Sequence, residues 1–377
     1  MTLLRTLKPI VLKEFRQVRR DPTSLGMLLV LPAGLIMLVG YALNFDVKHI
    51  PLAIYDQSNT PQSREYTEQF RHTEYFDNNY AVGSYREIEE LFMHGKAKVA
   101  LVVPAQFARD LLAGRDAHVQ VLLDGSDANS AGQAAGYASR MTLEFSNRLV
   151  TDAYWKRGRT LFFPIDFQPR VWYNPDLVSS KFLIPGLIGF IIVLTGVIST
   201  SLTVVREKER GTMEQIMVSP LRPLEVILGK TIPYFAISLV AATGILVLGY
   251  LLFDVEVKGS LLLLYAAICI IILGALGQGL LISTVTDSQQ VAFMISVFSS
   301  LLPSFLLSGF IFPVSNMPLV LQILSNLAVN KFFLVVVRGV MVKGVGLAAV
   351  WDQFLYMALF MTVMLGVSVK RMQKRTL

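Results

Sequence analysis

The chain has 377 residues, 53% of them hydrophobic and only 16% charged, with a mean hydropathy of +0.54 and a formal net charge of +7. Soluble domains carry about 25% charged residues, so much of this chain faces something other than water. A single cysteine excludes an intramolecular disulfide and a cysteine-based metal site, and His49, His72, His94 and His118 have no ligand spacing.

Leu3–Arg20 opens the chain. Leu4, Leu7, Val11, Phe15 and Val18 recur there at steps of three and four, with Arg5, Lys13, Arg16 and Arg20 off that stripe. The spacing predicts an amphipathic helix lying along a membrane surface; a simple topological anchor is the plainer alternative. Pro9 suits a first helical turn, so the regular helix is expected from near Lys8, and Asp21-Pro22 ends it. Leu25–Leu43 follows as the first of six apolar stretches. It starts too late and runs too long for a cleaved signal, and no small-x-small site follows at Asn44–Asp46, so it reads as an uncleaved signal anchor. The others are Phe182–Val205, Ile232–Phe253, Ser260–Val285, Val291–Phe312 and Leu347–Val369. Crossing hydrocarbon takes about 20 apolar residues. The first five stretches hold no Asp, Glu, Lys, Arg or His, and the last holds only Asp352.

Between the first two stretches, Asn44–Lys181 is a water-soluble insertion long enough for its own core. Strands are expected at Ile50–Tyr55, Ala97–Val103 and Val119–Leu123. Helices are expected at Gln62–Arg71, Tyr85–Met93, Pro104–Ala113 and from Ser130 to about Arg159. The alternation predicts an α/β domain. Asp124, Asp127 and Asp152 have no fixed mutual geometry and read as turn or cap residues, and Gly125, Gly132 and Gly136 lack the dinucleotide spacing. No active site is assigned here.

Arg206–Pro223 emerges from the second stretch with alternating charge. Glu207 and Arg210 stand at i,i+3 and can pair on a helix. Thr212 and Gln215 fit a capping box after Gly211, and Ser219-Pro220 with Pro223 close the segment. The product is a rigid, charged elbow suited to passing movement between a partner and the membrane helices; an ordinary basic loop is the alternative. Gly229-Lys230-Thr231 resembles the end of a phosphate-binding loop, but the motif needs glycine where Leu224 stands; Gly95-Lys96 fails likewise, with Glu90 at the glycine position and Ala97 at the Ser/Thr. Gly274, Gly277 and Gly279 read as close helix packing, and Gln278 needs a hydrogen-bonding partner. Leu319–Val342 is apolar but interrupted by Asn326, Asn330, Lys331 and Arg338, which fits amphipathic outer helices or a re-entrant hairpin.

Orientation follows from Lys and Arg. With the N-terminus inside, 1–24, 206–230, 286–290 and 370–377 hold 15 Lys/Arg against 7 Asp/Glu, a net of +8, and the remainder carries −1. The charge excess therefore serves topology, which argues against nucleic-acid binding.

From Phe182 to Leu377 the chain resembles the ABC-2 permease family, especially bacterial drug-efflux-type subunits with a large extracytoplasmic domain. The similarity lies in Arg206–Pro223, Leu224–Tyr234, Leu307–Pro313 (Leu-Ser-Gly-Phe-Ile-Phe-Pro) and Arg338–Gly344, and in the opening Lys13–Pro22. One departure is the absence of a proline near Ala328–Val329. The resemblance implies an α-helical polytopic membrane protein of six transmembrane helices with an inserted α/β extracytoplasmic domain. Its parts are a cytoplasmic amphipathic helix (1–24), transmembrane helix 1 (25–43), the extracytoplasmic domain (44–181), transmembrane helices 2–6 with a coupling segment at 206–230 (182–369), and a cytoplasmic tail (370–377). It further implies a multi-pass protein of the bacterial inner membrane, both termini cytoplasmic, exporting an amphipathic substrate such as a drug-like molecule, a lipid or a glycan-lipid. ATP hydrolysis falls to a cytoplasmic ABC ATPase subunit, contacted through Phe15, Arg16, Arg206, Glu207, Glu209, Arg210, Thr212 and Glu214. A second permease, identical or related, membrane lipids and a periplasmic adaptor protein are the other implied partners; no cofactor or nucleic acid is. Two other classes compete. An ion-coupled secondary transporter needs ionisable groups within its spans, where only Asp352 offers itself, and a membrane receptor with an extracytoplasmic sensor domain needs an output domain beyond the eight residues that follow Val369.

Overall fold

The computed structural model describes residues 3–42, 48–71, 73–156, 172–174, 178–212 and 223–375. Expectations for Asn44–Asp46, His72, the side chains of Leu4, Arg5 and Asp152, and residues 213–222, which include Glu214 and Gln215, fall outside the described residues. Two units divide the chain: one holds Met1–Asn44 and Arg170–Leu377, the other Phe45–Pro169.

The larger unit is helical. It begins with α1 (Leu3–Arg20) and α2 (Gly26–Ala42). The helix starts at Leu3 rather than near Lys8, with Pro9 in its interior. A proline there removes one backbone bond and leaves the rest of an 18-residue helix intact. We number the later helices of this unit α7 (Ser179–Glu209), α8 (Pro223–Phe253), α9 (Leu261–Val285), α10 (Gln289–Leu307) and α13 (Trp351–Arg375). Between α10 and α13, α11 (Leu319–Leu327) and α12 (Val329–Lys343) meet at an 85° bend.

Among the described residues, α7, α8, α9, α10 and α13 are the helices long and apolar enough to cross a membrane; Gly26–Ala42 is apolar but shorter. Helix α7 is apolar around its whole circumference, so it is buried on all sides, and α2, α8, α9, α10 and α12 pack against it. Close approach is written in glycine. A Cβ on Gly279 of α9 would stand 2.6 Å from the Val197 carbonyl oxygen of α7, and one on Gly186 would stand 2.2 Å from the Phe310 ring. Gly274 and Gly277 face Phe360 and Leu365 of α13 instead. The Gln278 amide donates to Ser299 O (3.3 Å) and Ser299 Oγ (3.2 Å) of α10, which satisfies its need for a partner. Outward faces of the bundle expose Val240, Leu251, Phe298 and Leu359, a surface made for hydrocarbon rather than water. The α11–α12 bend falls at Ala328, where no proline stands. Asn330 Nδ2 donates to Ser304 O (3.2 Å), and Lys331 Nζ reaches Ser325 Oγ (2.9 Å) and Asn326 Oδ1 (2.8 Å), so side chains brace the corner.

The smaller unit is α/β. In chain order it comprises β1 (Ile50–Asp56), α3 (Pro61–Arg71), β2 (Phe76–Ala81), α4 (Tyr85–Met93), β3 (Val99–Val103), α5 (Phe107–Leu112), β4 (Gln120–Leu123) and α6 (Ala128–Lys156). The sheet order is β2-β1-β3-β4, with β1 parallel to β2 and β3, and β4 antiparallel to β3. Helices cover both faces, so β3 is buried at every residue and reads as a continuous apolar run. Leu52, Leu101 and Val103 meet Tyr66, Phe70, Phe107 and Phe145 on one face; Ala53, Ala100 and Val102 meet Ile88 on the other. Strand β2 (Phe-Asp-Asn-Asn-Tyr-Ala) was not expected from sequence. Asp127 caps α6, accepting from Asn129 N and Ser130 N (both 3.2 Å), and Asp124 accepts from Ser126 N (3.0 Å).

Candidate functional site

Charge gathers where α7 ends. Lys230 of α8 ion-pairs with Glu207 of α7 and lies 3.4 Å from Glu14 Oε1 of α1. Lys13 Nζ stands 2.9 Å from Glu207 Oε1 and 3.1 Å from Glu14 Oε1. Two ammonium groups thus face two carboxylates, and three of the four residues are almost fully buried: Glu14 is 1% exposed, Lys230 2% and Glu207 4%. Such a cluster is stable only because its charges cancel, since an unpaired buried charge is strongly destabilising. Glu14 Oε2 is buried without a hydrogen-bond partner among the described residues, so the cluster is balanced but not saturated. Lys13, on the rim, feels opposing effects. Burial pulls its ammonium pKa down, but the hydrogen bond to Glu207 and the charges of Glu14 and Glu207 outweigh burial and hold it above the ordinary lysine value. A raised value means the stabilising contribution of the Lys13 ammonium is present below the ordinary lysine value and is lost as pH rises through the raised one.

Glycine makes the docking possible. A Cβ on Gly229 of α8 would stand 2.5 Å from Ile10 Cγ2, so α1 rests on α8 where Gly229 leaves room. Gly229-Lys230-Thr231 is therefore the seat of α1.

The last turn of α7 grips its neighbours. Arg206 pairs with Asp21 just after α1, and its Nε donates to Gln289 Oε1 (3.1 Å). Lys208 Nζ donates to the carbonyls of Ser283 and Thr286 (3.0 Å to the latter), where α9 ends. Glu209 accepts from Gln289 N (2.7 Å) and from its side-chain amide, where α10 begins. A cation on a helix C-terminus and an anion on a helix N-terminus both match the helix dipole. Gly211 then takes a left-handed conformation (φ +67°), Gly211 N donates to Lys208 O (3.0 Å), and α7 stops. Thr212 Oγ1 donates back to Glu207 O (3.2 Å).

The expected site residues separate into two sets. Arg206 and Glu207 face inward and, with the exposed Glu209, join α7 to its neighbours, whereas Thr212 is exposed and bonds back to α7 itself. Arg210 and Arg16 are exposed, and Phe15 is 36% exposed on a face of α1 turned away from Glu14. The i,i+3 pairing of Glu207 with Arg210 does not form; Glu207 pairs instead with Lys13 and Lys230. Sequence reasoning missed Lys13, Glu14, Asp21, Lys208, Lys230 and Gln289. Beside the cluster opens a pocket of about 750 Å³, with Gln17, Arg20, Arg206 and Arg210 in its wall. Among the described residues no group of three or more His, Cys, Asp or Glu could hold a metal ion.

Long apolar helices, outward apolar faces and charge confined to helix ends define a polytopic membrane protein. A family profile described as ABC-2 family transporter protein matches residues 23–370, and the chain belongs to that family. It is similar to the probable multidrug ABC transporter permease YbhS of Escherichia coli (strain K12), 31% identical over 341 residues, covering 90% of this chain and 89% of that protein. The probable multidrug ABC transporter permease YbhR of the same strain is 32% identical over 366 residues, 97% of each chain. The inner membrane transport permease YhhJ of that strain is 27% identical over 266 residues, 69% of each.

Proposed function

We propose that this chain is the permease subunit of an ABC-2-type exporter, driven by a separate cytoplasmic ATPase and paired with a second permease, identical or related. The observation that carries the proposal is the buried, charge-balanced hub at the end of α7, in a chain of a transporter family. A push on α1, or on the segment after Gly211, has a stiff route through Glu14, Arg206, Lys208 and Glu209 into α7, α8, α9 and α10 together.

In this reading α2, α7, α8, α9, α10 and α13 are the six spans, and α11–α12 is a re-entrant pair. The 17 residues of Gly26–Ala42 rise about 25 Å, at the lower limit for a span. The positive-inside distribution supports a reading with the hub and both termini in the cytoplasm of a bacterial cell and the α/β unit outside. Phe15, Arg16 and Arg210, being exposed, are the ATPase-facing residues; Glu214 joins them by family resemblance. Arg206, Glu207 and Glu209, held by neighbouring helices, transmit rather than touch, and Thr212, exposed past the end of α7, joins the ATPase-facing set. The multidrug designation of YbhS and YbhR favours an amphipathic cargo, with membrane lipid around the path and a periplasmic adaptor as a further partner for the α/β unit.

The test is co-purification in mild detergent with a cytoplasmic ABC ATPase co-expressed from the same organism. Recovery of the ATPase with the unaltered chain, and its loss with Phe15→Asp/Arg16→Glu, is the expected result. An ATPase never recovered, or one held equally by that variant, refutes the assignment.

A further inference from the structure

At the opposite end of α7, a pocket of about 540 Å³ lies between its first turn and the bend that leads from α12 into α13. Its walls are apolar, with Phe182, Val335, Val342, Val345 and Val350 among them. Its charged lining is all basic: Lys181, Arg338 and Lys343, with no carboxylate among the described residues that line it.

The three cations differ in duty. Arg338 is structural. It donates to the carbonyls of Phe182 (3.3 Å), Gly309 (3.2 Å) and Phe310 (3.2 Å), and its guanidinium stacks 3.6 Å from the centre of the Phe182 ring. Carbonyls satisfy its donors without cancelling its charge. Lys181 and Lys343 have no ion-pair partner among the described residues. Lys343 reaches only the face of the Tyr173 ring, 6.0 Å away. Asp254 and Glu256 lie in the adjoining hollow, shared with Lys181 and Lys258, so the basic excess of the region survives when they are counted.

Depth is marked independently. Trp172 and Trp351 are exposed, at 67% and 61%, and Tyr173 and Tyr356 are exposed near them in the chain. Exposed Trp and Tyr at the ends of membrane helices sit at headgroup level. An apolar trough with uncompensated lysines at that level matches a molecule with an acidic head and an apolar tail.

We propose that this pocket binds an anionic glycerophospholipid from the adjoining leaflet, its phosphodiester held by Lys181 and Lys343 in the field of Arg338 and the upper part of its acyl chains lying along Val335, Val342 and Val345. The proposal depends on the membrane placement of α7 and α13 and not on the ATPase assignment.

The full chain, purified in mild detergent, is given equimolar dioleoyl phosphatidylglycerol and dioleoyl phosphatidylcholine and examined by native mass spectrometry. Two surface cations favour the acidic lipid by about thirty-fold. That preference is expected in the unaltered chain, expected in Lys181→Arg/Lys343→Arg, and expected to fall to parity in Lys181→Gln/Lys343→Gln. Removing the same charge at the other end, with Lys370→Gln/Arg371→Gln, leaves the preference in place. Parity in the unaltered chain overturns the proposal, as does a preference that persists in the double glutamine variant. Displacement of phosphatidylglycerol by an equal concentration of inorganic phosphate overturns it too, since the site then reads phosphate alone. No ATP or ATPase is present, so this result and the exporter assignment stand or fall separately.

Discussion

Replacing Lys230 with methionine keeps most of the side-chain length and removes one of two cations from the α1–α7–α8 cluster. Glu14 and Glu207 are then left with Lys13, which is half exposed, and a net negative charge stays buried. Breaking a buried pair from one side costs about 3–5 kcal/mol. The loss falls on the docking of α1, since Lys13 and Glu14 hold α1 to Lys230 and Glu207. Hydrogen exchange of the Val11–Val18 amides reads that docking, and the same free energy lowers their protection by about two to four orders of magnitude. Adding Glu14→Gln restores neutrality: one carboxylate, Glu207, then faces one ammonium, Lys13, and most of the protection is expected to return. Lys230→Met protection within three-fold of the unaltered chain would refute the reasoning, as would a Glu14→Gln/Lys230→Met variant no better than the single one.

Arg206→Ala removes the ion pair to Asp21 and the hydrogen bond to Gln289 together; charged hydrogen bonds contribute about 1.5–3 kcal/mol, and Arg206→Lys is expected to rescue only in part because one ammonium replaces a forked donor. Thermal melts of the purified chain check both. Gly279→Ala drives a methyl toward the Val197 carbonyl and is expected to lower stability by about 1–3 kcal/mol, whereas Gly366→Ala, with open space around it, is neutral. Phe70→Ala opens a cavity in the α/β unit and costs about 3–5 kcal/mol, read as early loss of that unit's far-UV signal on heating. Asp127 has a carboxyl pKa held below the ordinary aspartate value by its hydrogen bonds from Ser130 and Asn129. Its cap is therefore present above the ordinary value and lost as pH falls through the lowered one; Asp127→Asn is expected to flatten the acid side of the unit's stability curve, and an unchanged curve would count against the cap.

Much of this architecture was legible because hydrocarbon demands long, charge-free stretches and leaves few alternatives. Tyr85–Met93 was also legible from its helical spacing with acidic residues early, and the Ser84 side chain accepts from Glu87 N at its start. Strand β2 was hidden because Asp77, Asn78 and Asn79 disfavour strands in isolation; it forms at the sheet edge, where β1 supplies its partner. The hub was hidden for a different reason. The pairs that tie α1 to α7 and α8 join residues 194 and 216 positions apart, and local periodicity says nothing of such pairs. Helix α1 shows the limit well. Its apolar stripe placed Phe15 inward and left Glu14 outside, yet Glu14 is buried and Phe15 is partly exposed. Val18 of the stripe stays buried, but the seat at Gly229 and Lys230 takes in Ile10 and Glu14 and leaves Phe15 out, and neither seat residue carries a periodic signal. The α7 end was recognisable as an elbow from alternating charge, but the partner of each charge was not.

The most direct test of the central claim is transport by reconstituted vesicles containing this chain and its ATPase. An amphipathic fluorescent substrate should leave the inner leaflet only with hydrolysable ATP, and Lys230→Met should abolish that movement while the ATPase continues to turn over. Transport by this chain alone, driven by an ion gradient and abolished by Asp352→Asn, would contradict the account.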